Sequence, residues 1–342
     1  MIRSGRLARG LGFPLCGLLV VACGAAAGEG GGDSNLPTRA AGPYGKLDPD
    51  PDTAVDEPVL LSDPEGRADW RAPWLRHADG DAERYLVFFT EADGAGSRIQ
   101  RADDVDLADG PGDLTLVLEA SEAWEGTRVA DPTVIEPGLT QPWGLLYGAG
   151  EGAIGYAGSE DGYVFDKDPG NPILEATLPE EGQRVGQPAS VWNGDTLWVY
   201  YAAPDVGAIF AAVVRYENGI VVEKVDADPS TPEHDPVLGP SPFSVDFDTA
   251  AVGAPFVRVT HLAGRAVFDL WYAGHAGDGE WTVGFAGSHD GLLYKRFDEN
   301  PVLPSGGVTE NDPAVVTLAV GGLMLFTEQK AGHPAVISAA IH

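Results

Sequence analysis

The sequence predicts an all-β protein, a five-bladed β-propeller of four-stranded blades. Three observations carry that expectation. A residue followed by proline opens a strand-like run five times, at Pro73, Pro132, Pro188, Pro255 and Pro313, with spacings of 59, 56, 67 and 58 residues. Helical periodicity is almost absent between these points, and short runs of β-branched and aromatic residues take its place. One strand motif also stands alone ahead of the first unit and is missing from the last, as a ring closed by both chain ends requires.

The first strand of each unit begins at the repeated proline. Proline removes a backbone donor and therefore belongs at a strand entrance or edge. The residue before it is Ala72, Asp131, Gln187, Ala254 or Asp312. A second strand follows at 84–89 (RYLVFF), 143–147 (WGLLY), 197–201 (LWVYY), 268–272 (FDLWY) and 323–326 (LMLF). A third is clearest at 155–162 (GYAGSEDG) and 284–291 (GFAGSHDG), where Asp-Gly predicts a hairpin turn with a geometric role. The fourth is expected at 116–118, 172–174, 236–238 and 301–303, each ending in Leu. Its fifth copy is the N-terminal 57–60 (EPVL), about residues 57–62, which is expected to complete the last blade.

What precedes the propeller reads as export machinery. Arg3, Arg6 and Arg9 lead an apolar run, 11–22, too short to span a membrane. The run ends in Val20-Val21-Ala22-Cys23, which resembles a bacterial lipobox with Cys23 as the acylated residue. The expected organisation is a lipoprotein signal at 1–22, a Gly-rich and acidic linker at 23–56 and the propeller at 57–342. The expected location is the cell envelope, periplasmic or outer surface, with membrane contact through the lipid anchor only. Cys16 and Cys23 are the only cysteines, so a mature domain has no internal disulfide and must rely on core burial.

The formal charge of −31 argues against nucleic acid and anionic membrane surfaces as partners. A monomer is expected. The alternating Asp48, Asp50 and Asp52 are separated by prolines and cannot wrap an ion as a calcium loop does. The histidines have no metal-ligand spacing, so no metal or cofactor is called for, a single structural calcium on the axis being left open.

In a propeller the inner strands begin at one end of the central channel, and the loops between second and third strands open on that face. The residues before the repeated prolines therefore define the default pocket. Three residues before them stand Asp69, Arg128, Arg184, Ala251 and Thr309; at the end of the second strand stand Glu91, Gly148, Ala202, Ala273 and Glu328. Asp131, Asp312, Glu91 and Glu328 are the candidate catalytic carboxylates, since clustered carboxyls in a concave site split their pKa values into one acid and one base. Asp69, Trp70, Arg71, Arg128, Arg184 and Gln187 are candidate ligand contacts. Trp70, Trp74 and Trp124 offer stacking faces for a sugar ring, against which stands ordinary packing between blades. Glu91 and Glu328 have an alternative as ion-pair partners of Arg128 or Arg184.

The runs 154–163 and 283–292, each followed by Asn-Pro-(Ile or Val)-Leu at 171–174 and 300–303, resemble the blade repeat of the five-bladed glycoside hydrolases, a group of arabinanases, xylosidases, invertases and levanases. The resemblance spans 57–342 and implies carbohydrate as the partner. It implies two inner-strand aspartates and a general-acid glutamate. Asp131 and Asp312 match the aspartate pattern, while Ala72 stands in blade one and Gln187 in blade three. The resulting expectation is a divergent glycosidase, or else a propeller that binds glycan or protein without catalysis.

Overall fold

The computed structural model describes residues 41–47, 59–107, 112–262, 264–277, 279–303 and 307–342. The proposed signal, Cys23 and most of the linker lie outside them. The first two strands are β1 (Gly45–Lys46) and β2 (Val59–Leu61). Blade one comprises β3 (Asp69–Ala78), β4 (Asp81–Asp93), β5 (Gly96–Val105) and β6 (Leu114–Glu119). Blade two comprises β7 (Val129–Ile135), β8 (Trp143–Ala149), β9 (Ala153–Ser159), β10 (Asp166–Lys167) and β11 (Leu174–Glu175). Blade three comprises β12 (Gly186–Asn193), β13 (Thr196–Ala203), β14 (Ala208–Tyr216) and β15 (Ile220–Val225). Blade four comprises β16 (Ala251–Leu262), β17 (Arg265–His275), β18 (Thr282–Ser288) and β19 (Lys295–Arg296). Blade five comprises β20 (Thr309–Thr317), β21 (Gly322–Gln329) and β22 (Val336–Ile341).

Each blade is an antiparallel meander in chain order, and β22 is completed from the N-terminal side by both β1 and β2. The predicted closure is therefore present, with Val59 opposite Ser338. The closing segment also reaches further back than residue 57. Tyr44 is buried, and Gly45 and Lys46 pair with Ile341 and Ala340, inside the stretch read from sequence as linker.

Two fourth strands differ from expectation. In blade three the strand is β15, an alternating Ile-Val-Val-Glu-Lys-Val run, while Leu238 of the expected segment makes one bridge to Ile209. In blade four the strand is the short β19, and Val302 and Leu303 instead donate backbone hydrogen bonds to the Val283 carbonyl. The Asn-Pro motif has a purpose of its own. Asn171 takes the Tyr156 amide on Oδ1 and donates to the Tyr156 carbonyl, and Asn300 does the same for Phe285. The Asp-Gly turns are also built differently from a two-residue hairpin, because only Gly162 and Gly291 have positive φ. Asp161 and Asp290 instead each accept two following backbone N–H groups, a geometric role as expected.

The core consists of five buried clusters, one at each blade-to-blade interface. Strands alternate between the two faces of a blade, and both faces are covered by neighbours, so second strands read as continuous apolar runs. Trp271, Tyr147, Tyr200, Tyr201, Tyr272 and Phe88 are fully buried there. The inner edge strands β3, β7, β12, β16 and β20 face the axis, where the ring shields them from pairing with another chain.

Candidate functional site

The five residues before the repeated prolines are the innermost feature of the ring. Ala72, Asp131, Gln187, Ala254 and Asp312 have φ of 51°, 55°, 48°, 43° and 49°, and the ladder slips at each of them. Each is a β-bulge that pushes two residues out of register toward the axis, which explains why proline is tolerated next to it. Such a bulge frees a backbone N–H, and in blades one, two and four the preceding blade satisfies it. The Ala72 amide donates to Thr327 Oγ1 at 2.9 Å, Asp131 to Thr90 Oγ1 at 2.8 Å and Ala254 to Gln187 Oε1 at 3.0 Å. Thr90 and Thr327 precede the paired Glu91 and Glu328, so the Thr-Glu repeat is in part a repeat of bulge acceptors.

The bulges enclose a narrow channel of about 40 Å³, lined also by Trp74, Thr133 and Phe256. Asp131 and Asp312 meet there. Asp312 is pushed up to about 6, by burial first and by the charge of Asp131 second. Thr327 donates to its Oδ2 at 2.8 Å and, with Arg71, opposes that rise.

Asp131 also faces outward. It forms a 2.7 Å pair with Arg128 and lines a cleft of about 510 Å³ over blades two to four. Around it stand Arg184, Gln187, His275, Trp281 and Asn311, with Gly150, Gly152, Pro204 and Gly207 from the second-to-third-strand loops. This is the face that inner-strand starts and those loops were expected to share. Trp281 and His275 form an aromatic pair, their rings 4.4 Å apart. Trp281 was not singled out in the sequence, and His275, set aside there with the other histidines, is half-buried at the end of β17.

The other candidates lie outside the cleft, except Arg184. Glu91 is clamped by Arg98 through both its oxygens, at 3.0 and 2.7 Å, and is also held by Gln100. Glu328 accepts from Lys46 at 2.9 Å, and the same ammonium pairs with the fully buried Glu310. The expected alternative of an ion pair was right in kind for both glutamates but wrong in partner. Asp69 is held by Arg71 and the Ala335 amide, both at 2.8 Å. Arg184 pairs with Asp205. Trp70 is 3 % exposed with its ring 4.7 Å from Phe89, so it presents no face to a ligand. Trp124 is half-buried against Tyr147. Trp74 reaches the channel.

A second repeat escaped the sequence reading. Glu125, Glu181 and Asp248 each stand six residues before a bulge residue, and all three are fully buried. Each accepts from a second-strand tyrosine (Tyr147, Tyr201, Tyr272) and from a fourth-strand cation (Lys167, Lys224, Arg296). Lys46 on β1 supplies the cation for Glu310 in blade five. These clasps tie the linker, the second strand and the outer strand of a blade together. Among the described residues, no group of three or more His, Cys, Asp or Glu is arranged to hold a metal ion.

No protein-family model matches the chain, and no curated protein matches it. Solved structures do. A glycoside hydrolase superposes with a TM-score of 0.65 at 13 % identity, covering 88 % of this chain and 92 % of that one. A thermostable family-43 glycoside hydrolase gives 0.57 at 17 %, covering 81 % and 90 %. An α-L-arabinofuranosidase from Podospora anserina, in complex with cellotriose, gives 0.60 at 15 %, covering 90 % and 98 %. The chain shares the five-bladed propeller fold of these enzymes.

Proposed function

We propose that this chain is a carbohydrate-binding propeller whose ligand lies in the cleft over blades two to four. The observation that carries this reading is the cleft's lining. Sugars present hydroxyls that both donate and accept, together with an apolar ring face. The Arg128–Asp131 pair offers donors beside an acceptor, Asn311 and Gln187 add amides, and Trp281 provides a platform. A volume of about 510 Å³ falls within the range of small-ligand pockets. The likeness to glycoside hydrolases, one of them bound to cellotriose, supports the same reading.

Hydrolysis is the second reading, favoured by Asp312 at about 6 beside Asp131. Asp312 would hold the proton and Asp131 would act as the carboxylate. Three features weigh against it. The residues at the blade-one and blade-three bulges are Ala72 and Gln187, Glu91 and Glu328 are occupied by Arg98 and Lys46, and the space beside Asp312 takes a water rather than a sugar ring.

Residues 1–22 direct export in this reading, and Cys23 carries the lipid that tethers a monomeric propeller to the cell envelope. Labelling cells with a palmitate analogue should mark the wild type and spare Cys23→Ser.

The deciding experiment uses the mature Cys23→Ser chain on a glycan array and on a panel of aryl glycosides and polysaccharides. Binding without turnover, lost in Trp281→Ala and in Arg128→Ala, is expected. Turnover abolished by Asp312→Asn would establish the hydrolase instead. A folded chain that neither binds nor cleaves any glycan would remove both readings.

A further inference from the structure

A second cavity opens on the opposite face, where the hairpins between first and second strands of blades four and five meet. It measures about 670 Å³ and is walled by Leu262, Leu318, Ala319 and Val320. Two of these are apolar side chains left in water, Leu262 at 45 % and Val320 at 86 % exposure. At its base lie Arg258 and Asp269, directly opposite one another on β16 and β17.

That ion pair is incompletely made. Nη2 of Arg258 stands 3.5 Å from Asp269 Oδ2, well beyond the 2.7–2.9 Å of a charge-assisted hydrogen bond. Nη1 is taken by the Thr317 hydroxyl, and Nε is buried without a partner among the described residues. The guanidinium lies over the Trp271 ring, 5.3 Å from its centroid, a cation–π contact that helps hold it in place. Both members of the pair line the cavity, and Arg258 is the more exposed, its side chain 22 % exposed against 6 % for Asp269. The cavity therefore presents one oriented, partly unsatisfied guanidinium at the foot of an apolar wall. Nη2 is the donor left for a ligand, and a guanidinium donor is matched by a carboxylate better than by a cation or a neutral group.

We propose that this cavity binds a small amphipathic carboxylate, its head on Arg258 and its aliphatic chain against Leu262, Leu318, Ala319 and Val320. The ligand supplies the second acceptor that Asp269 leaves unfilled, and its tail covers apolar surface otherwise left in water. Asp269 competes for the same guanidinium, so its carboxylate limits affinity.

Calorimetric titration of the full chain with octanoate, octanol and octylamine tests the site. A single saturable site is expected, with octanoate at least tenfold tighter than either analogue. Arg258→Met, which keeps a stem over Trp271, should bring octanoate down to octanol. Asp269→Asn should tighten it severalfold. Val320→Asp alters an exposed wall residue without disturbing the core, and it should weaken octanoate at least tenfold while leaving the near-UV circular dichroism unchanged. Equal or tighter binding of octanol or octylamine would overturn the proposal. So would the absence of saturable binding to a folded wild type, or octanoate affinity untouched by Val320→Asp.

Discussion

The Thr327 hydroxyl joins two blades through one atom: it donates to Oδ2 of Asp312 at 2.8 Å within blade five and accepts the Ala72 amide of blade one at 2.9 Å. The closure of the ring and the setting of its channel carboxyl therefore depend on the same oxygen. Thr327→Val keeps the shape and removes both bonds. Leaving a buried amide and a buried carboxyl each short of a partner costs about 1–3 kcal/mol per group. Urea denaturation should show a loss of at least about 2 kcal/mol. The Asp312 carboxyl titration, followed by NMR, should move upward because a hydrogen bond to the charged form is gone.

Asp312 also makes stability depend on pH in the direction opposite to most carboxylates. Its folded value is pushed up to about 6 from an ordinary 3.8, so the folded state holds the proton more tightly than the unfolded chain. Stability from this group is complete below pH 4 and declines as pH rises through 6. A two-unit gap corresponds to roughly 2–3 kcal/mol. Asp269, also pushed up to about 6 by burial, acts in the same direction. Asp312→Asn removes the penalty at one site. It should be more stable than wild type by about 1–2 kcal/mol at pH 8 and show no gain at pH 4. A wild-type profile that rises between pH 4 and 7, with Asp312→Asn parallel to it, would contradict the assignment.

Lys46 closes the ring electrostatically as β1 closes it through the backbone. Its ammonium contacts Glu310, fully buried, and Glu328, and these two carboxylates hold the lysine above its usual range against the cost of burial. Lys46→Met retains the aliphatic stem and removes the charge. Breaking a buried pair by deleting one member costs about 3–5 kcal/mol, and Lys46 is partly exposed, so about 3 kcal/mol is the expected loss. Thermal unfolding should fall in Lys46→Met and hardly move in Lys330→Met, whose surroundings are exposed.

The repeat of prolines was legible because one backbone requirement recurs five times: a bulge at the inner strand needs a residue that gives up its ladder bond. The fourth strands were less legible. The Pro-Val-Leu motif looks like a strand at 236–238, yet the alternating run of β15 takes the place and the motif contributes only the Leu238 bridge. The carboxylates were the hardest to judge. Glu91 and Glu328 repeat like a catalytic pair, and only the cross-strand neighbours Arg98 and the distant Lys46 reveal ion pairs. Glu125, Glu181 and Asp248 keep constant spacing from the bulges, but an acid in a linker reads as a solvated charge until its tyrosine and cation are placed. Trp281 and His275 had no signal, because their partnership exists only across the fold.

The tyrosine clasps admit a direct comparison between blades. Tyr201 donates to Glu181 at 2.6 Å and Tyr147 to Glu125 at 3.0 Å, in both cases to a carboxylate that also holds a lysine and two backbone amides. These donors outweigh burial and keep both glutamates below their usual range, so they are charged in the fold. Removing a single hydroxyl leaves the lysine and the amides in place, so Tyr201→Phe and Tyr147→Phe should each cost about 1–3 kcal/mol rather than unfold a blade. Glu181→Gln should cost more, because it strands Lys224, whose ammonium is mostly buried, beside a neutral amide. Chemical denaturation of the three variants gives the ranking. If Glu181→Gln proved no worse than Tyr201→Phe, the clasp would owe its strength to hydrogen-bond geometry and not to charge.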